Sequence, residues 1–233
     1  AAGKKILISV GGWATQALFQ SAMSTANYLT FVDNLFTFMS DNDYDGVEID
    51  MEPMSPSDST NYIRFIRALR TRLDTVTPRP VLVCAVLWTP EIFAQLTAEF
   101  DQILVMTYAL SGAYPGWIVW HDTAVYDGGV RFPSTGGLVP SCDGTIQQFL
   151  NAGIPVGKLS IGIEFYGKVW SGGTGTSTGG ATTPGQTWTT PPAVQDNVTY
   201  NTIIGTYYQA SYYRWDAVAQ ASYLSIDGVG SVN

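Results

Sequence analysis

The stretch Asp45-Gly46-Val47-Glu48-Ile49-Asp50-Met51-Glu52 alternates carboxylate and apolar side chains over its last six residues. A period of two marks a strand with two unlike faces, because successive side chains point to opposite sides. Val47, Ile49 and Met51 share one face and suit packing under a helix layer. Glu48, Asp50 and Glu52 share the other, with neighbouring Cα atoms about 6.6 Å apart. A solvated face on an edge strand would alternate in the same way. The apolar runs on either side, 5–10 (KILISV) and 81–88 (VLVCAVLW), argue instead for an interior strand. Three carboxylates so close cannot all ionise at low cost, so repulsion and desolvation raise at least one pKa.

Outward from this strand, short apolar runs alternate with runs of helical period. Further strands are predicted at 102–108 (QILVMTY) and 158–165 (KLSIGIEF). Between the first two strands, Leu29, Phe31, Val32, Leu35, Phe36, Phe38 and Met39 form a broad stripe that predicts a helix over 27–40. Over 59–75, Tyr62, Ile63, Phe65, Ile66, Leu69 and Leu73 form one face, and Arg64, Arg67 and Arg70 lie off it. A shorter helix is predicted at 90–98, and another at 145–152 with Gly153 as its stop. Strand–helix–strand alternation means an α/β fold with parallel strands and right-handed crossovers. After Phe165 the character changes. Residues 171–193 hold six Gly and three Pro and read as a long polar loop, and 198–226 are rich in tyrosine.

Composition narrows the function. Of 233 residues, 45% are apolar and only 13% are charged, so Ser, Thr, Asn, Gln, Gly and Tyr must build much of the surface. The net charge of −8 disfavours nucleic acid and is compatible with a neutral polymer. No run approaches the roughly 20 apolar residues of a membrane helix. His121 is the only histidine and no Cys-x-x-Cys occurs, which excludes a Cys/His zinc site, and no metal is expected. Spacing does not decide whether Cys84 and Cys142 pair; the strand-like setting of Cys84 favours two free thiols. Ala1-Ala2-Gly3-Lys4-Lys5 leads straight into the first strand without a leader. Either a leader was removed or the chain starts inside a longer protein.

A carboxylic acid still protonated near neutral pH, at the C-terminal end of a parallel strand, is what glycosidic cleavage asks of a general acid. The chain resembles glycoside hydrolase family 18, the chitinase family, of the bacterial type. The family pattern DGxDxDxE is similar to Asp45, Gly46, Asp50 and Glu52. Residues 5–13 (KILISVGGW), 105–108 (VMTY) and 158–167 (KLSIGIEFYG) resemble its third, sixth and seventh strands. The resemblance implies an incomplete (β/α)8 TIM-type barrel over 1–166 and a small α+β insertion module over 167–233. Two strands expected before Lys4 and the eighth after Asn233 are missing from the chain. Its open edges would invite self-association.

For function, the resemblance implies hydrolysis of β-1,4-linked N-acetylglucosamine polymers by a substrate-assisted retaining mechanism, without cofactor, outside the cell. Glu52 would be the acid, Asp50 its partner and holder of the acetamido N–H, and Glu48 the third inward carboxylate. Tyr108 would bond the acetamido group and Met106 line the pocket. Trp13 and Trp88 at strand ends, with Trp117, Trp120, Trp170 and Trp188 in loops, are candidate sugar platforms, since flat aromatic faces suit pyranose C–H faces. Tyr166 and Glu164 share a side by strand parity and would face inward. The site departs from the family: Glu48 replaces an Asp, Ala109 stands where Asp usually follows the Tyr, and Glu164 where Pro or Ala is common. These departures imply an altered or weakened site, and the alternative of a weakly active or inactive chitooligosaccharide-binding protein of the same fold. His121 and the sequon Asn197-Val198-Thr199 carry no function in this reading.

Overall fold

The structure, a computed structural model, describes residues 3–226 and the strand backbone of 230–232; Ala1, Ala2 and Asn233, which bounded the expectations above, lie outside them. The chain forms two compact units, residues 1–106 with 147–161, and residues 107–146 with 162–233.

The first unit is a parallel sheet of five strands in chain order: β1 (Leu7–Gly12), β2 (Gly46–Met51), β3 (Val81–Val86), β4 (Gln102–Val105) and β5 (Leu159–Ile161). Such sequential parallel order is the α/β architecture that the alternation predicts, and it is the wall pattern of a TIM-type barrel. β2 lies between β1 and β3, in register Gly11↔Asp50 and Ile49↔Cys84. Val47, Ile49 and Met51 are buried, while Glu48, Asp50 and Glu52 are partly exposed, so the period-two reading holds residue by residue. The crossovers carry α1 (Gln16–Ala22), α2 (Tyr28–Asp41), α3 (Ser59–Leu73) and α4 (Pro90–Ala94). On α3, Tyr62, Phe65, Ile66, Leu69 and Leu73 are fully buried. Each such apolar side chain contributes about 1.5–3 kcal/mol. Phe31 of α2 stacks on Phe65 at 4.9 Å, which locks the two helices together.

Five local expectations need correction. The strands predicted to Tyr108 and to Phe165 end at Val105 and Ile161. The helix predicted over 90–98 ends at Ala94, and α5 (Cys142–Asn151) starts three residues before Thr145. α1 was not foreseen, because seven residues give too little periodicity. Arg70, expected off the apolar face of α3, is 5% exposed. Its guanidinium meets Asp74 at 2.7 Å, Asp101 at 3.6 Å and the Pro80 carbonyl at 3.1 Å, the partners that a buried charge requires. Gly153 ends the α5 segment at φ +92°, as expected.

The second unit is an antiparallel sheet: β6 (Tyr166–Ser171), β7 (Ala193–Thr199), β8 (Tyr213–Asp216), β9 (Ala221–Ile226) and β10 (Gly230–Val232), in the order β7-β6-β10-β9-β8. Its apolar contacts fall into small clusters. Ile118, Trp120, Ala124 and Val139 pack on Ala219; Val119 and Ala181 pack on Trp170; Leu224 and Ile226 pack against Ile203 and Tyr207. The polar loop 171–193 is knitted by Gln186, whose Oε1 accepts from the Thr182 and Thr183 amides at 2.8 and 3.1 Å. Cys84 and Cys142 are free thiols.

One glycine ties the fold to the acidic strand. Gly11 has φ +129°, and a Cβ there would lie 1.8 Å from the Asp50 carbonyl oxygen. Gly12 has φ +107° but open space around it. We expect Gly12→Ala to cost about 1–2 kcal/mol, the penalty of left-handed backbone alone. Gly11→Ala adds overpacking against a strand backbone, about 1–3 kcal/mol more. Urea unfolding of both variants checks this; equal losses would mean that β1 yields freely to β2.

Candidate active site

β2 projects its three carboxylates from one face and ends them at Glu52. The backbone of Glu52 is fixed from outside its own strand. Its carbonyl accepts from the amides of Thr15 at 2.8 Å and Gln16 at 3.2 Å, at the start of α1. The Thr15 hydroxyl donates to the Gly12 carbonyl at 2.7 Å. The turn after Glu52 is pinned by Asp58, which is 4% exposed and accepts from Gln16 and Gln20 at 2.8 Å each and from the Ser55 amide at 2.9 Å. Burial alone would raise the Asp58 pKa, but the bonds from Gln20, Gln16 and Ser55 outweigh it and hold the carboxyl below the usual range. Sequence reasoning passed over Thr15, Gln16 and Asp58. The signal for Asp58 was the Ser55-x-x-Asp58 spacing, which forms a capping box.

Asp50 and Glu52 are hydrogen-bonded to each other. Burial, then the charge of Asp50 and the proton that Glu52 donates to it, push the Glu52 pKa up to about 7. Asp50 is also raised, by burial first and the charge of Glu48 second, with the bond from Glu52 pulling the other way. The surroundings are dry: Tyr62 and Cys84 are fully buried, and burial pushes both well above their usual ranges, with Asp50 adding to the rise. Asp50 Oδ1 is buried without a donor if Glu52 is ionised. Below about pH 7 the pair therefore holds one proton, which Glu52 is placed to donate. In the same unit, Trp13 is 73% exposed at the end of β1 and Trp88 is 53% exposed just past β3. Met106 is buried, its amide on the Val86 carbonyl at 2.8 Å.

The remaining predicted residues belong to the second unit. Tyr108 and Tyr166 meet edge to face at 6.1 Å. Ala109 is exposed with φ +56°. Glu164 lies past the end of β5 and before β6, so strand parity does not set its direction; it nevertheless lines one cavity with Tyr166. Its carboxyl accepts from the Thr123 hydroxyl and is hydrogen-bonded to Asp122, which sequence reasoning missed. Burial, then the Asp122 charge, pushes the Glu164 pKa up to about 7. Asp122 is 2% exposed and rises through burial, against the pull of Lys168 at 3.2 Å. Lys168 also reaches Asp196 at 3.2 Å and the Ser111 carbonyl.

The loop tryptophans divide. Trp120 and Trp170 are buried, and Trp120 donates to the Pro140 carbonyl at 2.9 Å, so neither is a sugar platform. Trp117 is wedged between Tyr114 at 4.9 Å and Phe132 at 4.8 Å. Trp188 packs on Trp170 at 6.2 Å. Trp215, 55% exposed on β8, is the aromatic face that sequence reasoning left out. His121 is 1% exposed, with Nε2 3.0 Å from Asp216. Among the described residues, no group of three or more His, Cys, Asp or Glu side chains could hold a metal, and no helix is long and apolar enough to cross a membrane.

Comparison with known proteins gives this geometry a family. The model of "Glycosyl hydrolases family 18" matches residues 1–231. Chitinase 1 of Aphanocladium album is 28% identical over 178 residues, which cover 70% of this chain and 41% of that protein. A probable endochitinase of Caenorhabditis elegans is 27% identical and covers 94% of this chain and 38% of its own. Among solved structures, chitinase ChiW of Paenibacillus sp. str. FPU-7 superposes with a TM-score of 0.78 at 26% identity, covering 98% of this chain and 28% of that one. The chain thus spans about two fifths or less of the length of these relatives. A family match over nearly every residue, on a sequential parallel sheet that carries an acidic β2, makes this chain a member of glycosyl hydrolase family 18.

Proposed function

We propose that the chain hydrolyses β-1,4-linked N-acetylglucosamine polymers, chitin and its oligomers, by a substrate-assisted retaining mechanism. The observation that carries this reading is the hydrogen-bonded Asp50–Glu52 pair, with the Glu52 pKa pushed up to about 7. Chitinase relatives support the substrate class. Glu52 gives its proton to the glycosidic oxygen as that oxygen leaves the anomeric carbon. The acetamido oxygen of the same sugar attacks the anomeric carbon and forms an oxazolinium ion. Asp50, relieved of its bond from Glu52, accepts the acetamido N–H. Water then adds to the anomeric carbon and returns its proton to Glu52. Only one protein carboxyl has to act as acid and base, because the nucleophile comes with the substrate. The acetamido group is already tethered beside the carbon it attacks, so its entropy cost is met on binding. Trp13 and Trp88 offer exposed indole faces to neighbouring sugars. Chitin is an extracellular polymer, so this activity works outside the cell.

Glu52→Gln keeps the shape and removes the proton, and hydrolysis of a chromogenic chitobioside should fall by about 100-fold or more. In the wild type, the rate should fall as pH rises through about 7, where the acid form is lost. Stability follows the same group. Folding raises the Glu52 pKa from 4.5 to about 7, so between these values the native state holds the extra proton and stability declines as pH rises. Thermal unfolding should accordingly favour Glu52→Gln over wild type more at pH 8 than at pH 5; an equal difference at both would place the Glu52 pKa in the ordinary range.

Substrate assistance makes the acetamido group obligatory. Fully deacetylated oligomers and cellulose oligomers should not be cut under conditions where chitin oligomers are. Comparable rates on chitosan and chitin oligomers would replace the acetamido nucleophile with a protein group.

Ala109→Asp should raise kcat/KM on chitin oligomers by about tenfold, the worth of one charge-assisted hydrogen bond made in the transition state. The backbone favours the change, since Ala109 sits at φ +56°, where Asp is better tolerated than Ala. A lower rate in Ala109→Asp, together with a lower rate in Glu164→Ala, would assign that contact to Glu164 instead.

A further inference from the structure

One motif of the sequence is left unused by the hydrolytic reading. Asn197-Val198-Thr199 is the only Asn-x-Ser/Thr triplet among the 233 residues, and its middle residue is not Pro. It lies on β7, an end strand of the antiparallel sheet. The pairing of β7 with β6 jumps from Gly167↔Val198 to Val169↔Gln195, so Asp196 and Asn197 together oppose Lys168. Two residues against one make a bulge, which bends the strand and leaves the extra residue unpaired. Asn197 takes the bend at φ +56°, a left-handed backbone that suits Asn, Asp or Gly.

The neighbours of Asn197 leave it to solvent. Asp196 Oδ1 meets Lys168 Nζ at 3.2 Å, and Val198 is 3% exposed. Asn197, between them, is exposed, and its carboxamide has no hydrogen-bond partner among the described residues. An Asn at a turn often bonds nearby backbone, and this one does not. Thr199 is exposed as well, and its Oγ1 accepts from the Thr202 amide at 3.3 Å, which caps the short helix Tyr200–Thr202. The bulge would accept Asp or Gly at 197, and the cap would accept Ser or Asp at 199. Only Asn with Ser or Thr two residues later makes an acceptor for an N-linked glycan.

We propose that Asn197 is the N-glycosylation site of this chain, taking an oligosaccharide from a lipid-linked pyrophosphate donor. Asn197 Nδ2 bonds to C1 of the first sugar. The C1–O bond to the pyrophosphate breaks, the lipid pyrophosphate leaves with that electron pair, and one Nδ2 proton passes to a base of the transferase. The product is a neutral amide, so the Lys168–Asp196 pair beside it meets no new charge. The folded chain gives up no hydrogen bond, since the carboxamide makes none, and the bulge leads the sugar into water. Thr199 keeps its cap, because the linkage leaves its hydroxyl free. The inference rests on the extracellular reading, since a secretory route brings the chain to the transferase.

The test is secretion of the full chain from a eukaryotic host, behind a supplied leader, with an Asn-Gly-Thr triplet added after Asn233 as an internal control. Intact mass before and after treatment with a peptide N-glycosidase counts the glycans. The expected result is two glycans on the wild type and one on Asn197→Asp, which suits the same left-handed backbone and removes the acceptor amide. Thr199→Ser keeps both the triplet and the cap and should keep the second glycan. The glycosylated chain should unfold at the temperature of the enzyme-released form or above it. A single glycan on the wild type, with the added triplet filled, overturns the proposal, and so does a glycan at 197 that lowers the unfolding temperature. Because the leader is supplied, the result does not depend on where the native chain resides; export from the native cell decides the extracellular reading separately.

Discussion

Two carboxyl groups on the same face of one strand, two residues apart and partly out of water, ionise together only at a cost. That constraint at Asp50 and Glu52 organises the first unit. It requires β2 to lie between two other strands, since an edge strand would hydrate both groups and leave two ordinary acids. It requires the opposite face to be wholly apolar, and Val47, Ile49 and Met51 meet the helix layer in which Tyr62, Phe65 and Leu69 of α3 are buried. It also requires a fixed backbone at the last carboxylate, which the amides of Thr15 and Gln16 provide through the Glu52 carbonyl. Polar anchoring at Asp58 then holds the exit from β2 without adding a second titrating group near neutral pH.

The second unit contains a chemically related pair in different company. Asp122 and Glu164 are likewise hydrogen-bonded and both raised by burial, but Lys168 lies 3.2 Å from Asp122, and neither carboxyl stands on a strand. A carboxyl pair thus marks a dry polar pocket and does not by itself specify chemistry. In the proposed reaction, the Asp50–Glu52 proton goes to a leaving group at a strand end where Trp13 and Trp88 are exposed.

Much of the first unit was legible in the sequence because its signals are local. Period-two alternation over 47–52 and the apolar stripes of 27–40 and 59–75 depend on neighbours along the chain, and the structure keeps them nearly to the residue. The failures come from information that is not local. Arg70 looks solvent-facing by spacing, and only Asp74, Asp101 and the Pro80 carbonyl, brought up by other segments, explain its burial. The strands to Tyr108 and Phe165 look long because their apolar character continues past the last ladder bond. Asp122 sits in a loop with no periodicity, and its role depends on Lys168, 46 residues later. Trp120 and Trp170 look like Trp13 in sequence, and only burial tells an anchor from a platform.

Gly11 carries a consequence for how such chains diverge. Its missing side chain is the space that the Asp50 carbonyl oxygen occupies, so the glycine and the acidic strand are two halves of one steric fit, although 39 residues separate them. A lineage could exchange Glu48 for a shorter acid or lose the acid at Glu52 and still fold, because those side chains point away from the ladder. It could not easily put a side chain at position 11 without moving the strand that bears Asp50. The glycine should therefore outlive the proposed acid in descendants that lose Glu52, leaving in their sequences a trace of the acidic strand after its last carboxyl has gone.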